Sequence, residues 1–256
     1  MLLAVEIGNS HISVGGFDGD ELVWVAPIAT DTRRTGAQVA MELGGLFRLF
    51  GVQAAACTQA VVGSVVPAAT QAVLDGLRMM GITDVLSLSS GVKTGVNIKT
   101  EQPRQLGSDL VANAAWACGH APLPCVVVDL GTATTFTVVD ESGALTGTAI
   151  CAGVQISLDA LKSCTAQLAG VTLQAPKHGV LGRNTGEAIK AGAIYGTAAM
   201  IDGMVARFTQ ALGLPPHVLL TGGAAQTIAP YIHTPCEQVP HLTLYGLADI
   251  WRKNQA

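Results

Sequence analysis

Ala4-Val5-Glu6-Ile7-Gly8-Asn9-Ser10, near the start, is the stretch whose reading decides the fold, because it returns half a chain later as Val127-Val128-Asp129-Leu130-Gly131-Thr132-Ala133-Thr134-Thr135. Each copy is a buried apolar strand, then an acidic residue, an apolar residue and a glycine turn bearing amide or hydroxyl side chains. In each, a second strand follows and ends in an acidic glycine turn: His11–Gly16 before Phe17-Asp18-Gly19, and Phe136–Val139 before Asp140-Glu141-Ser142-Gly143. Two like motifs spaced by half the chain point to internal duplication. Working outward, Gly36–Phe50, Ala68–Met80, Ser108–Cys118, Leu158–Leu168, Thr185–Leu212 (one element or two) and Leu242–Asn254 read as helices. Ala60–Val66, Asp84–Leu88 and Val218–Leu220 read as strands. Alternating helices and strands, twice over, predict an α/β protein of two similar lobes, residues 1–118 and 119–256, with an interlobe cleft as the default ligand site.

Composition removes other classes. The 256 residues are 49% hydrophobic and only 12% charged, with 30 glycines and a formal net charge of -4. So apolar a chain buries a sizeable core and is not disordered. Without a basic excess there is no footprint for nucleic acid or an anionic membrane, and no apolar run approaches the roughly 20 residues that span a bilayer. The first residues carry no signal-peptide pattern. Six cysteines, none at C-x-x-C spacing, read as buried free thiols and point to the cytoplasm. The six scattered histidines give no transition-metal motif.

The turns are where chemistry can sit. Glycine lets backbone approach a ligand closely, and the N–H and hydroxyl groups that follow can cradle phosphate oxygens. The acidic residue before the turn can hold a metal ion or its water shell. Thr221-Gly222-Gly223, after a strand, is a third such place, where backbone could pass flat against a nucleotide. Three turns at the start, middle and end of the chain suggest a nucleotide cleft. Neither G-x-G-x-x-G nor G-x-x-x-x-G-K-[ST] is present.

Six ordered motifs then carry a resemblance over essentially the whole chain. They are Glu6-Ile7-Gly8-Asn9-Ser10, Gly91–Lys99, Gly107-Ser108-Asp109 with Asn113, Asp129–Thr135, Gly182-Arg183-Asn184-Thr185 and Thr221-Gly222-Gly223. Together they resemble type III pantothenate kinase, of the acetate kinase, sugar kinase, Hsp70 and actin superfamily. The resemblance implies duplicated ribonuclease H-like (actin-like ATPase) lobes and a homodimer. It also implies phosphorylation of pantothenate to 4'-phosphopantothenate by ATP, the first step to coenzyme A, with Mg²⁺ and with K⁺ or NH₄⁺. Carried over by position, Glu6, Gly8, Asn9, Ser10 and Ser13 hold ATP phosphates, Glu6 also reaching Mg²⁺ through water. Thr132, Thr134, Gly222 and Gly223 complete the nucleotide set, and Asp129 takes the monovalent cation. Thr100, Gly107, Ser108, Asp109, Leu110 and Thr185 line the pantothenate pocket, with Asp109 the general base.

Both helix-start residues also have structural readings. Asp109 can serve as a carboxylate at a helix N-terminus, which the dipole keeps ionised, and Thr185 as the N-cap of the helix after it. The chain departs from the family where Glu6 replaces Asp, Leu110 replaces Arg, Thr100 replaces Tyr and Gln102 replaces Asn. Arg104 could compensate for the missing cation, and Cys151-Ala152-Gly153 stands where Pro-Gly is usual. These departures leave two alternatives: a paralogue that binds nucleotide or pantothenate with impaired turnover, or a kinase for another small hydroxylated substrate.

Overall fold

A computed structural model describes residues 1–164 and 170–255. In the first lobe β1 (Leu2–Ile7), β2 (His11–Asp18) and β3 (Glu21–Ala29) form an antiparallel meander. Then come α1 (Gly36–Leu49), β4 (Gln59–Ser64), α2 (Pro67–Met79) and β5 (Asp84–Ser87), in a sheet ordered β3-β2-β1-β4-β5. After β6 (Asn97–Ile98) and α3 (Ser108–His120), the second lobe repeats the plan: β7 (Cys125–Leu130), β8 (Ala133–Val139), β9 (Ala144–Ala152), α4 (Val154–Cys164), α5 (Thr185–Leu212), β10 (His217–Thr221), the short α6 (Ala225–Ile228) and β11 (Glu237–Gln238). Its sheet runs β11-β10-β7-β8-β9-β6, and α7 (Leu242–Gln255) closes the chain.

Reversed, the second order matches the first strand for strand, β6 being the one addition at its edge. The pairing directions match as well: β1 and β7 are each antiparallel to the next strand and parallel to β4 and β10. Even the irregularities coincide. The register shifts at Gly16/Phe17 in the first lobe and at Val138/Val139 in the second, three residues beyond the partners of Glu6 and Asp129. A bulge bends its strand and is a designed feature, so a shared one speaks for duplication.

The two sheets are buried by the same alternation. Leu3, Val5 and Ile7 face Val39, Leu43 and Phe47 of α1 and Val73 and Leu77 of α2, while Val126, Val128 and Leu130 face Ile194, Ala198, Ile201 and Val205 of α5. Glu6 and Asp129 thereby fall on the opposite face of each strand. Helix ends follow local chemistry. Thr35 and Gln38 make a reciprocal capping box at the start of α1. Pro67 occupies the first turn of α2, and α5 stops at Gly213, φ +75°.

Several expectations are refined. The strands β3 and β9 were not anticipated, and α4 begins at Val154 rather than Leu158; residues 165–168 of that expected helix lie outside the described residues. Thr185–Leu212 is one helix. By packing, one compact unit contains Met1–Val96, Gln102–Trp116 and Thr243–Ala256, and the other Asn97–Glu101 and Ala117–Leu242. The division expected at 118/119 differs in where the closing helix goes: Gly246 packs flat on the backbone of Ala112 and Leu247 reaches Gly63, both in the first unit. The six cysteines are free thiols, with Cys164 exposed and Cys57 and Cys125 buried. No helix among the described residues is long and apolar enough to cross a membrane.

Candidate active site

The first turn is fixed by its backbone. The Gly8 N–H donates to the His11 carbonyl at 3.0 Å, while Thr30 donates its hydroxyl to the Gly8 carbonyl at 2.7 Å and its N–H to the Ser10 carbonyl at 2.9 Å. A Cβ on Gly8 would lie 3.1 Å from Glu6 Oε1, so the carboxylate leans along the turn. Asn9 and Ser10 are exposed at its tip, and Ser13 is the partner of Glu6 on β2.

Across the sheet Glu6 pairs with Gly63 of β4, and there the first lobe brings α3 to the turn. A Cβ on Gly63 would stand 3.2 Å from Ser108 Oγ. One on Gly107 would stand 2.2 Å from Asp109 Oδ1, so only glycine at 107 lets this carboxylate fold back over the loop. Burial pushes the Asp109 carboxyl above the ordinary carboxylate range, against the opposing pull of the Leu110 and Asp109 N–H groups. Desolvation outweighs these two backbone N–H groups at the helix start. Oδ1 is buried and has no hydrogen-bond partner among the described residues. Leu110 is only 4% exposed and serves packing.

In the second lobe the acidic residue is held more tightly. Asp129 Oδ1 lies 3.4 Å from where a Cβ on Gly131 would be and 2.5 Å from where one on Gly222 would be. That Cβ on Gly222 would also fall 2.5 Å from Leu130 N and C, and φ there is +95°, so position 222 admits glycine alone. The Ala224 N–H donates to the Leu130 carbonyl at 3.1 Å, pinning this crossing beside the exposed Gly223. Gly153 has the role its sequence left open: a side chain there would meet the Thr132 and Gly131 carbonyl oxygens at 2.1 and 2.6 Å. Thr132 stays in the turn, half-buried, whereas Thr134 is fully buried in β8, its hydroxyl without a partner among the described residues.

Thr185 is the first residue of α5, and the N-cap is Asn184, whose side chain accepts from the Glu187 N–H at 3.0 Å. The Thr185 hydroxyl is therefore not a cap. It lines a cavity of about 530 Å³ together with Ala152 and Val154, the neighbours of Gly153, so the structure brings Thr185 to the second turn. Gly182 lies flat on the backbone of Ala188, which holds the preceding loop against the same helix. Thr100 does not line this cavity; its hydroxyl is buried and has no partner among the described residues. Arg104 is exposed, with no ion pair among the described residues. Sequence reasoning missed Gly63 and left the role of Gly153 open, because both roles arise from contacts with distant segments.

The oxygen donors suit the ions a nucleotide brings. No group of three or more His, Cys, Asp or Glu able to hold a metal occurs among the described residues. A divalent ion here would use a single carboxylate, such as Glu6, with phosphate oxygens and waters, the usual manner of Mg²⁺. Asp129 Oδ1 sits close against Gly131 and Gly222 of the two neighbouring turns.

Known proteins resemble this chain in fold and in sequence. A solved structure titled as the activator of the 2-hydroxyisocaproyl-CoA dehydratase from Clostridium difficile with bound ADPNP superposes with a TM-score of 0.57, at 14% identity, over 99% of this chain and 94% of that one. At that identity the likeness speaks for the fold alone, the two-lobed actin-like α/β fold. Type III pantothenate kinases of Anaeromyxobacter sp. (strain Fw109-5) and Brevibacillus brevis are each 39% identical over 261 residues, covering 100% of both chains. The family model described as type III pantothenate kinase matches residues 2–207, a span that holds both acidic turns, the Asp109 helix and the start of α5. By motif order, duplicated sheets and full-length similarity, this chain belongs to the type III pantothenate kinase family.

Proposed function

We propose that this chain transfers the γ-phosphoryl group of ATP to the primary hydroxyl of pantothenate, yielding 4'-phosphopantothenate. The observation that carries the reading is the Asp109 carboxylate, folded over Gly107 at the start of α3 and raised by burial, in a chain whose family performs this chemistry. Phosphoryl transfer asks the protein mainly for positioning and charge neutralisation. Asp109 takes the proton of the attacking hydroxyl, and a carboxyl shifted toward neutral pH is better matched to that task. Gly8, Asn9, Ser10 and Ser13 in one lobe, and Thr132, Gly222 and Gly223 in the other, offer N–H and hydroxyl groups to the nucleotide, whereas Thr134 is fully buried in β8. Glu6 holds Mg²⁺ through water and Asp129 holds K⁺ or NH₄⁺; bound there, these ions supply positive charge against the phosphates. Gly107, Ser108 and Thr185 border the acceptor, while Leu110 is buried in packing and the Thr100 hydroxyl is buried.

The same reading takes the chain to be a homodimer. The exposed small residues Ala188, Gly192, Gly196 and Ala199 along α5 offer a surface for close approach of a second copy. Six free thiols fit the cytoplasm. The full-length relatives give no support to an impaired paralogue.

The test is an ATP-dependent assay with pantothenate, Mg²⁺ and K⁺, beside the Asp109→Asn variant. We expect product from the native chain and a loss of about 10²–10⁴-fold in the variant, the range for removing a general base. Unchanged turnover in Asp109→Asn would remove Asp109 from the role of base. No product from the native chain would sink the functional reading itself.

A further inference from the structure

Asp109 keeps partial exposure, yet its Oδ1 does not contribute to it: that atom is buried over Gly107 and has no partner among the described residues. The oxygen that meets a substrate hydroxyl is therefore Oδ2, and Oδ1 needs a donor from inside the protein. Two buried side-chain nitrogens lack an acceptor among the described residues. Trp24 Nε1 lies over Gly16 in the β2–β3 pair, remote in the sheet from α3. The other is Asn113 Nδ2, on α3 itself, one turn beyond Asp109.

Residues four apart share a helix face, and side chains lean toward the N-terminus, so the head of Asn113 is displaced toward Asp109. Asn113 is fully buried, and its orientation is set from behind: the Thr243 hydroxyl of α7 donates to Asn113 Oδ1 at 2.9 Å, which leaves the NH₂ group as the end without a partner. Leaving a buried donor and a buried acceptor both unsatisfied is costly, and a polar pair beyond direct reach is commonly joined by one water.

We propose that Asn113 is a positioning residue for the base, its NH₂ group, oriented by Thr243, giving Asp109 Oδ1 a hydrogen bond through one bridging water and so aiming Oδ2 at the acceptor hydroxyl. This rests on Asp109 being the base. The bond favours the ionised carboxylate, opposing the effect of burial. No side-chain charge competes for control. Of the elements packed against the start of α3, β4 carries no titratable group, α7 carries Tyr245, Asp249, Arg252 and Lys253, and Glu6 lies beyond Gly63 on β1; burial and the two backbone N–H groups account for the state of Asp109.

The experiment compares the native chain with Asn113→Leu, Asn113→Asp and Thr243→Val. Titration of the ¹³C-labelled aspartate carboxyls gives the midpoint of Asp109 without requiring activity, and Asp109→Asn identifies its signal. We expect the midpoint to rise by about one unit in Asn113→Leu, further in Asn113→Asp, where an acceptor replaces the donor, and less in Thr243→Val. With pantothenate and ATP, the acidic limb of kcat should move upward by the same amounts, and kcat at its plateau should fall about tenfold with KM nearly unchanged. An Asp109 midpoint that stays in place in both Asn113 variants overturns the proposal, even if both melt earlier, because Asn113 is then only a packing residue. If Asp109→Asn keeps its activity, the base assignment fails and this inference with it. If Asp109→Asn is inactive while the midpoint does not move, this inference alone fails.

Discussion

The two acidic turns occupy equivalent places in equivalent sheets, yet they hold their carboxylates differently. In the first, three residues join the strands and the longer Glu6 leans over its own Gly8 beneath an exposed tip. In the second, two residues join them, and Asp129 is wedged against Gly131 and Gly222 while Gly153 supports the carbonyls from below. The parallel strand next door differs too. β4 leaves through Ser64 into the Pro67 start of α2, whereas β10 leaves through Gly222, whose backbone lies against Leu130. One copy of the motif has been closed by glycines into a rigid socket. The other stays adjustable and has acquired the helix that carries Asp109.

The largest effect expected from this contrast is at Gly222. Gly222→Ala should cost about 3–4 kcal/mol, since the new Cβ meets Leu130 and Asp129 and the backbone holds φ +95°. Nucleotide binding, read by calorimetry, should be lost with it. At the matching position of the first lobe, Ser64→Ala should cost only about 1 kcal/mol: it removes the acceptor for the Val66 N–H at 3.0 Å and the Thr70 hydroxyl at 2.8 Å. Equal costs at the two positions would erase the proposed difference in rigidity.

Reciprocal exchange of the carboxylates comes next. Asp129→Glu should lower kcat/KM for ATP by about 10²-fold, because an added methylene has no room beside Gly131 and Gly222. Glu6→Asp should change it by about threefold or less, since the open turn absorbs a shift near 1 Å. A loss in Glu6→Asp as large as that in Asp129→Glu would break the comparison.

A smaller contrast lies at the far ends of the two hairpins. Burial pushes the Asp140 carboxyl up, but the Ser142 hydroxyl and N–H, the Ala144 N–H and Lys99 outweigh it and hold the group at about 2. A depressed carboxylate contributes stability above its unfolded value, roughly 3.9, and loses it as pH falls toward 2. Asp140→Asn should therefore cost about 1–2 kcal/mol at pH 7, with the melting curves converging near pH 2. Asp18, its exposed counterpart, makes no hydrogen bond or ion pair through its side chain among the described residues, so Asp18→Asn should leave the melting temperature nearly unchanged. A local effect is expected at Asn254, whose amide donates to the Lys93 carbonyl at 2.9 Å and whose Oδ1 accepts from the Lys93 N–H at 3.2 Å. Asn254→Ala should loosen the Gly91–Gly95 loop, seen as faster amide exchange there, with about 1 kcal/mol or less lost.

Duplication was legible because it is written in local pattern: strand, acid, glycine, strand. Helix α5 was legible in extent, Thr185–Leu212, but not in continuity, and the structure shows one unbroken helix. The strands β3 and β9 were less so, since β3 is interrupted by Pro27 and β9 by glycine, and both gain their pairing from the neighbouring strand rather than from their own composition. The cap on α5 slipped by one residue because Asn184 and Thr185 are both good cap residues, and only the bond to the Glu187 N–H decides between them. At the site, residue types named the acids and glycines, but the tight glycines at 63 and 153 depend on contacts with distant segments. The affiliation of α7 was hidden for the same reason: Gly246 against Ala112 is a long-range fit.

The free thiols have a practical consequence. Burial, with Cys118 and Glu237 adding to it, pushes Cys125 up to about 12, and burial raises Cys57 and Cys236 as well. A maleimide at neutral pH should therefore choose Cys164, the exposed thiol at the end of α4, the helix whose Val154, Ser157, Leu158 and Leu161 line the cavity beside Thr185. The native chain thus carries its own attachment point for a fluorescent reporter, on a helix that lines this cavity.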